Sequence, residues 1–442
     1  LIMINPSKIK RTLFNIIADM DRHAYLFSKR PGIDFSRHSK LPFGKMLSLI
    51  ISMQGQSLNK ELRRYFQYSP HVPKASAFVQ QRSKILDGTF EFLFKEFNQC
   101  FPSSYSFRGY DILATDGSDF DIPFDPSDPA TLIKNCYNTG SFSQYHVSFL
   151  FNTFDRRFVD CVIHPRNFYN ENTALYEMMK RYQPDHKTII IADRGYSCFN
   201  TIAHFQQSEF YYLIRGKDIY SESSAFKHSD LPDSEEFDID MSFDLTRSQR
   251  KKYKEHPERY KYLPAKTQFD FIDPDDRNSI FTIHFRLVKI KLSEDSYEYL
   301  LTNLPREDFS IHDMKYLYWQ RWKIETAIDK YKYDISAVNF HSKKREFIIQ
   351  EIWARMILYN YCILVAFQIP IDNLKKYKHE RQISYKDAID ICRKYLHPHT
   401  YLKNKTLIQL LLRYIHPVRP DRKVPRKTRR SRRFTPFTRR IA

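Results

Sequence analysis

Apolar residues recur at helical spacing through roughly the first hundred positions. In SLNKELRRYFQ, Leu58, Leu62, Tyr65 and Phe66 fall on one helix face. After the turn YSPHVPKAS, Ser76 is placed to cap a second helix, AFVQQRSKIL. The outer face of that helix offers Gln80, Gln81, Arg82 and Lys84, side-chain types that reach base edges or phosphates. From about residue 106 the period becomes that of strands. YDILATDGSDFDIP is a short apolar run ending in acids and a turn, and YHVSFLFNTFDRRFVDCVIHP reads as two strands joined at TFDRR. ENTALYEMMKRYQ is helical, KTIIIADRGY suits a central strand buried on both faces, and FYYLIRGK adds another strand. That order predicts an α/β sheet domain, not a sandwich.

Between about 218 and 300 polar loops alternate with strands, which predicts a mostly β insertion. In FTIHFRLVKIKL, Phe281, Ile283, Phe285 and Leu287 share one face before Val288, Ile290 and Leu292 take the other. That change of phase predicts a β-bulge. YLYWQRWKIETAIDKYK, Tyr316 to Lys332, is predicted as one helix. Leu317, Ile324, Ala327, Ile328 and Tyr331 form its apolar face, with Tyr318, Arg321, Glu325 and Lys332 in a stripe along the edge. A second helical region spans roughly 345 to 415, and the Pro- and Arg-rich end, PVRPDRKVPRKTRRSRRFTPFTRR, is expected to be a phosphate-binding arm, disordered alone. The predicted boundaries are 1–105, 106–217, 218–300, 301–370 and 371–442.

Charge changes the picture more than length does. The 442 residues carry 71 Lys and Arg against 51 Asp and Glu, a net charge of +20. Such a chain attracts polyanions, nucleic acid first and an anionic membrane surface second. The six cysteines are scattered without a C-x-x-C pair, which points to a reducing compartment. LIMINPSKIKRTLF is too short an apolar run for a signal peptide, and MILYNYCILVAFQIP, broken by Asn360, is too short to span a bilayer. A soluble, cytoplasmic protein without a membrane partner is expected. No P-loop, H-E-x-x-H or G-x-S-x-G occurs, so nucleotide-cofactor, zincin and hydrolase readings lack support. Pro398 sets aside the paired histidines of HPH at 397–399, which would need a strand.

Three carboxylates stand out. Asp116 and Asp193 are predicted at strand ends, each followed by a glycine, Gly117 or Gly195, that lets the backbone turn away. Glu325 lies on the helix stripe. Should that helix pack across the sheet, the three acids converge and require a hard cation such as Mg²⁺. Two ions about 4 Å apart suit in-line displacement at phosphorus. Arg321 and Lys332 would then hold substrate phosphates, with Tyr318 hydrogen-bonding or stacking nearby.

YWQRWKIETAIDKYK also matches the pattern Y-x2-R-x3-E-x6-K, through Tyr318, Arg321, Glu325 and Lys332. In this it resembles the DDE transposases of bacterial insertion sequences, the insertion-sequence-four type. ATDGSDF and IADRGY resemble that family's first and second aspartate regions, in the expected order, and the resemblance covers roughly 40 to 370. It implies an RNase H-like mixed-sheet core interrupted by a β insertion and flanked by helical regions. It gives Asp116, Asp193 and Glu325 two Mg²⁺ ions, with Mn²⁺ able to substitute, and gives Tyr318, Arg321 and Lys332 the strand end. The implied partners are double-stranded DNA, as element ends and target, and a second copy of the chain in a synaptic complex at the nucleoid. The implied activity is cleavage of the element's ends and transfer of the freed 3′-OH to target DNA. Some relatives stack a flipped base on a tryptophan of the insertion. Here Trp319, Trp322 and Trp353 all lie elsewhere, and Tyr297 or Tyr299 are the candidate substitutes. A regulator with a dead core and a nuclease that cuts without joining are the rival readings.

Overall fold

A computed structural model describes residues 5–103, 106–134, 140–221, 224–294, 296–371 and 379–418. The basic tail expected to act as an arm lies almost wholly outside them.

Five helices come first: α1 (Pro6–Arg22), α2 (Phe43–Ser52), α3 (Leu58–Tyr65), α4 (Ala75–Arg82) and α5 (Thr89–Gln99). Then follow β1 (Tyr110–Ile122), β2 (Leu132–Ile133), β3 (Phe142–Asn152), β4 (Arg157–Pro165), α6 (Glu171–Arg181), β5 (Lys187–Ala192), α7 (Phe199–Gln206) and β6 (Tyr211–Arg215). The middle of the chain gives β7 (Phe237–Thr246), α8 (Lys251–Lys254), β8 (Tyr260–Tyr262), β9 (Ile280–Ser293) and β10 (Ser296–Thr302). The last elements are α9 (Ile311–Trp319), α10 (Trp322–Asp329), α11 (Arg345–Ala366), β11 (Arg381–Ile383), α12 (Tyr385–Leu396), α13 (Asn404–Arg413) and β12 (Ile415–Pro417).

One mixed sheet runs β2-β3-β1-β5-β6-β10-β9-β7-β8, with β4 also paired to β3. β1, β5 and β6 are parallel neighbours at its centre, and the Ile-rich run of β5 is buried on both faces as its sequence predicts. The hairpin at TFDRR forms between β3 and β4. The segment from 218 to 300 is rich in strands, as expected, yet β9 and β10 continue the same sheet through β6. It is an extension of the sheet, not a detached β unit.

The bulge expected at the phase change from Leu287 to Val288 is absent there. The register shift that β9 does show lies at its far end against β10, where Ser296 pairs with Ser293 and Tyr297 with Lys291, passing over Leu292. The register of β9 with β7 is unbroken from Ile280 to Lys289. The apolar phase changes because the cover changes sides: Ile283, Phe285 and Leu287 pack in the cluster with α6 and α7, while Val288 and Ile290 pack under α9 on the opposite face. Between them the strand is buried on both sides, so apolar residues adjoin without a kink.

The N- and C-terminal helices share one core around α11, which is buried along nearly its whole length. α11 is long and apolar enough to cross a bilayer, but it is sheathed by protein. Asn360 is tolerated there because its side-chain amide pairs with both backbone groups of Phe158, accepting from N at 3.0 Å and donating to O at 2.7 Å. α4 is capped at Lys74, not Ser76, and stops at Arg82. Arg82 itself is a correction. It is 1% exposed and spends its guanidinium on Gln350 Oε1 and Glu351 Oε1, both at 2.9 Å, and on the Phe347 carbonyl. It braces α4 against α11 and has no face turned to DNA. Gln81 and Lys84 are half-buried, the latter with Nζ 5.8 Å from the centre of the Phe35 ring.

Candidate active site

The site begins with sheet register. Ala114 on β1 lies opposite Ile191 on β5, so two residues on Asp116 falls beside Asp193. Ala192 lies opposite Ile214 on β6, so Arg215 falls next in the same row. Adjacent strands are about 4.8 Å apart, which makes this a compact Asp-Asp-Arg row. Ile112, Ile189, Ile191 and Leu213 pack beneath α9. Alternation therefore directs Asp116, Asp193 and Arg215 to that helix-covered face.

Asp193 ends its strand as predicted, capping a short 3-10 turn with Oδ1 2.7 Å from the Gly195 amide. Asp116 does not end one. β1 continues to Ile122 because β3 pairs with it all the way, so Asp116 and Gly117 sit inside a long strand. Gly117 answers a need for space, not for a turn: a Cβ there would lie 2.3 Å from His146 Nε2 and 2.5 Å from Glu171 Oε1.

Glu325 arrives from the helices above. Residues 316 to 332 are not one helix, since α9 ends at Trp319, α10 starts at Trp322, and residues 330–334 form a π-helical turn. The predicted apolar face nevertheless holds, and Leu317, Ile324, Ala327, Ile328 and Tyr331 are all buried. Ile324, Ala327 and Ile328 pack in the same cluster as Ala114 and Phe120 of β1, which sets Glu325 over the aspartate row. Burial pushes the Asp116 carboxyl up to about 6, and the nearby Asp193 and Glu325 add to that rise against the Gly117 amide and Arg321. The three acids thus act on one another.

Each currently leans on a local donor. Asp116 Oδ1 accepts from the Gly117 amide at 2.9 Å, and Glu325 Oε1 lies 2.8 Å from Arg321 Nη1. Among the described residues no three acids, histidines or cysteines form a ready metal cage. The donor set still fits a hard divalent cation. It consists of carboxylate oxygens alone, on one face, with Asp116 held out of water and raised by its acidic neighbours.

Arg321 stands at the N-cap of α10, 6% exposed, with Cζ 4.7 Å from the centre of the Trp322 ring and 5.8 Å from that of Tyr318. Burial pushes the Tyr318 phenol up to about 12, so it stays protonated. Lys332 turns back to β1, donating from Nζ to Ser118 Oγ and the Asp119 carbonyl, both at 2.6 Å. The stripe is therefore assembled at the row, despite the broken helix.

Tyr297 and Tyr299 are not. They alternate with Glu298 and Leu300 on β10, and Leu300 packs under α9 while Tyr299 packs on the opposite cluster. The expected stacking tyrosines face away from the acids. Glu298 and Arg215 are the residues that sequence reasoning missed. Glu298 Oε1 lies 3.4 Å from Arg215 Nε, and burial raises its carboxyl against the pull of Arg215 and Arg321. Trp319 and Trp322 expose their indoles beside Arg321, 62% and 43% respectively.

No curated protein matches the chain. A distant likeness exists to a solved structure, the cryo-EM structure of a piggyBac transposase synaptic complex with hairpin DNA. It shares 11% identity, covers 92% of this chain and 85% of that one, and has a TM-score of 0.43. Residues 107–361, more than half of the chain and all of the acid row with its covering helices, match the family described as the transposase DDE domain, and the chain belongs to that family.

Proposed function

We propose that the protein is the transposase of a bacterial insertion sequence. It binds the element's terminal inverted repeats, cuts the ends, and transfers each 3′-OH to target DNA, working in the cytoplasm on nucleoid DNA as a homodimer that holds two ends. The observation that carries this reading is the register that puts Asp116 beside Asp193 on neighbouring parallel strands beneath Glu325.

Asp116, Asp193 and Glu325 would hold two Mg²⁺ ions, or Mn²⁺ in their place, which would supply activation of the attacking oxygen and stabilisation of the leaving one in an in-line displacement. In cleavage a water oxygen bonds to phosphorus as the P–O3′ bond breaks. One proton of the water passes, through solvent, to the leaving 3′ oxygen, which becomes the end's hydroxyl, and the other ionises from the new 5′-phosphate. In joining, that 3′ oxygen attacks a target phosphodiester as its P–O3′ bond breaks, and the attacking hydroxyl's proton passes through solvent to the leaving target 3′ oxygen. Arg321 and Arg215 hold phosphates of the strand end by paired N–H donors, with Tyr318 beside them. Lys332 fixes β1, and with it Asp116, relative to α10.

The test uses a duplex carrying the element's end and a second duplex with a pre-cut 3′-OH. Asp116→Asn, Asp193→Asn and Glu325→Gln should each abolish Mg²⁺-dependent cleavage and joining while end binding persists. Wild-type cleavage by Glu325→Gln would refute the assignment. A wild type that cuts the first duplex but never joins the second would be a nuclease, and one that binds the ends and does neither would be a regulator.

A further inference from the structure

The side of α10 away from Glu325 carries chemistry that the reaction centre does not use. Lys323 and Lys330 are two turns apart and share that side. Lys330 Nζ sits 3.1 Å from the centre of the Tyr385 ring on α12, and Lys323 Nζ 4.9 Å from that of Phe154 in the β3–β4 turn. The same turn presents Arg156, exposed, with φ 60°. Its guanidinium is close enough to repel both amines. Among the described residues, Asp334 is an acid that acts on Lys330, and it also faces Lys386.

Crowded, half-buried ammonium groups pay both desolvation and mutual repulsion. An anion set between them relieves the repulsion, and aromatic walls suit cations that must stay partly out of water. A solvated surface face would spread its lysines and dot them with acids. This one does the reverse.

We propose that Arg156, Lys323 and Lys330 form a second phosphate seat, gripping the DNA backbone on the side of α10 opposite the acid row. The inference rests on the reading of the chain as a DNA-handling enzyme and adds a contact outside its reaction centre. Two residues apart and therefore on opposite sides of the helical turn, Lys332 goes back to β1 while Lys330 goes to Tyr385. Burial, then Arg156, holds Lys330 down to about 7. An arriving phosphate favours the charged amine, so binding takes up a proton and weakens as pH rises through that value. Among the described residues, Asp334, Tyr359, Tyr385 and Lys386 are other ionisable groups facing the seat.

The test is fluorescence anisotropy of a labelled duplex, one bearing the element's end and one of unrelated sequence. The comparison is wild type against the triple variant Arg156→Asn, Lys323→Gln, Lys330→Gln. Asn tolerates the positive φ of position 156, and Lys330→Met, which keeps the packing on Tyr385, serves if Gln there unfolds the protein. We expect affinity to fall about tenfold and the salt slope to drop by about 2 to 3, one unit per lost phosphate contact. Wild-type affinity should also fall more steeply than the variant's between about pH 6 and about pH 9. Loss on the end duplex alone assigns the seat to the element, loss on the unrelated duplex alone assigns it to target DNA, and either supports the proposal. Unchanged affinity and slope on both duplexes, in variants that melt with wild type, overturns it. A wild type that binds neither duplex overturns the functional reading as well.

Discussion

Gly117 leaves the space that His146 on the neighbouring strand fills: a Cβ on the glycine would stand 2.3 Å from the imidazole Nε2. The ring cannot easily yield. Its Nδ1 is 2.8 Å from Asp119 Oδ1, its Nε2 is 3.0 Å from Glu171 Oε1, and its side chain is 6% exposed. Gly117→Ala should therefore cost about 1–3 kcal/mol, the usual range for overpacking. The shift should displace the adjoining Asp116, so that cleavage falls further than stability does. Urea unfolding set beside a cleavage assay checks both. His146→Ala removes the nearer of the two clashes and the hydrogen bond that holds Glu171 Oε1, 2.5 Å from the added methyl, in place, so the double variant should be destabilised by less than the sum of the singles.

Arg82 offers a cleaner separation of stability from DNA binding. Its buried pair with Glu351, 2.9 Å apart, is lost when the arginine is removed. Arg355 and His341 still hold the carboxylate, but Gln350 Oε1 and the Phe347 carbonyl are left buried without their donor. Arg82→Ala should destabilise by about 1–3 kcal/mol, the range for a buried polar group left without its partner. The salt dependence of DNA binding by the folded fraction should not move. A reduced salt slope without loss of stability would restore the outward role first expected for this residue.

That expectation failed for an instructive reason. Gln80 to Lys84 looks like a polar surface run because nothing local reveals that Glu351, on α11, closes over Arg82. Contacts of that span are invisible to periodicity. The face of Leu317, Ile324, Ala327, Ile328 and Tyr331 was legible because its period is local, and it survives a helix break and a π turn. Asp193 was legible because an Ile run stops just before it. The setting of Asp116 was misread, since only pairing with β3 carries β1 through to Ile122. Tyr297 and Tyr299 were aromatic and in the right segment, yet strand alternation turns them to the wrong face. Arg215 could not be found at all, because its place in the row depends on register across three strands.

The cluster around Glu351 predicts acid sensitivity. Burial raises Glu351, but His341, Arg82 and Arg355 outweigh it and hold the carboxyl well below the usual range. Glu61, on the other side of His341, is raised by burial and lowered more strongly by His341 and the amides of Gln56 and Gln54. A carboxylate depressed on folding contributes stability above its unfolded pKa, about 4.3, and loses it as pH falls through the folded value. Wild type should thus hold its urea midpoint from about pH 7 to about pH 5 and lose it steeply below about pH 4. Glu351→Gln should be less stable at neutral pH and flatter in acid. A parallel pair of profiles would show that the cluster carries no net linkage.

Arg215 tests the row itself. It stands one strand beyond Asp193, 43% exposed along its side chain, with its Nε 3.4 Å from a Glu298 carboxylate that is 11% exposed. Glu298 can orient the guanidinium while leaving the outer N–H groups for phosphate. Arg215→Ala should weaken binding of a pre-cut end by about 1–2 kcal/mol, within the range for a lost charged hydrogen bond, while the Mg²⁺ concentration giving half-maximal cleavage stays put. Arg215→Lys should recover little, because an ammonium cannot keep the planar fork between Glu298 and a phosphate. Glu298→Gln should loosen the end less than Arg215→Ala does, since it frees the guanidinium without removing it. Were Arg215→Ala to shift the metal dependence and spare end binding, the residue would belong to the support of Asp193, and the row would hold two functional side chains, not three.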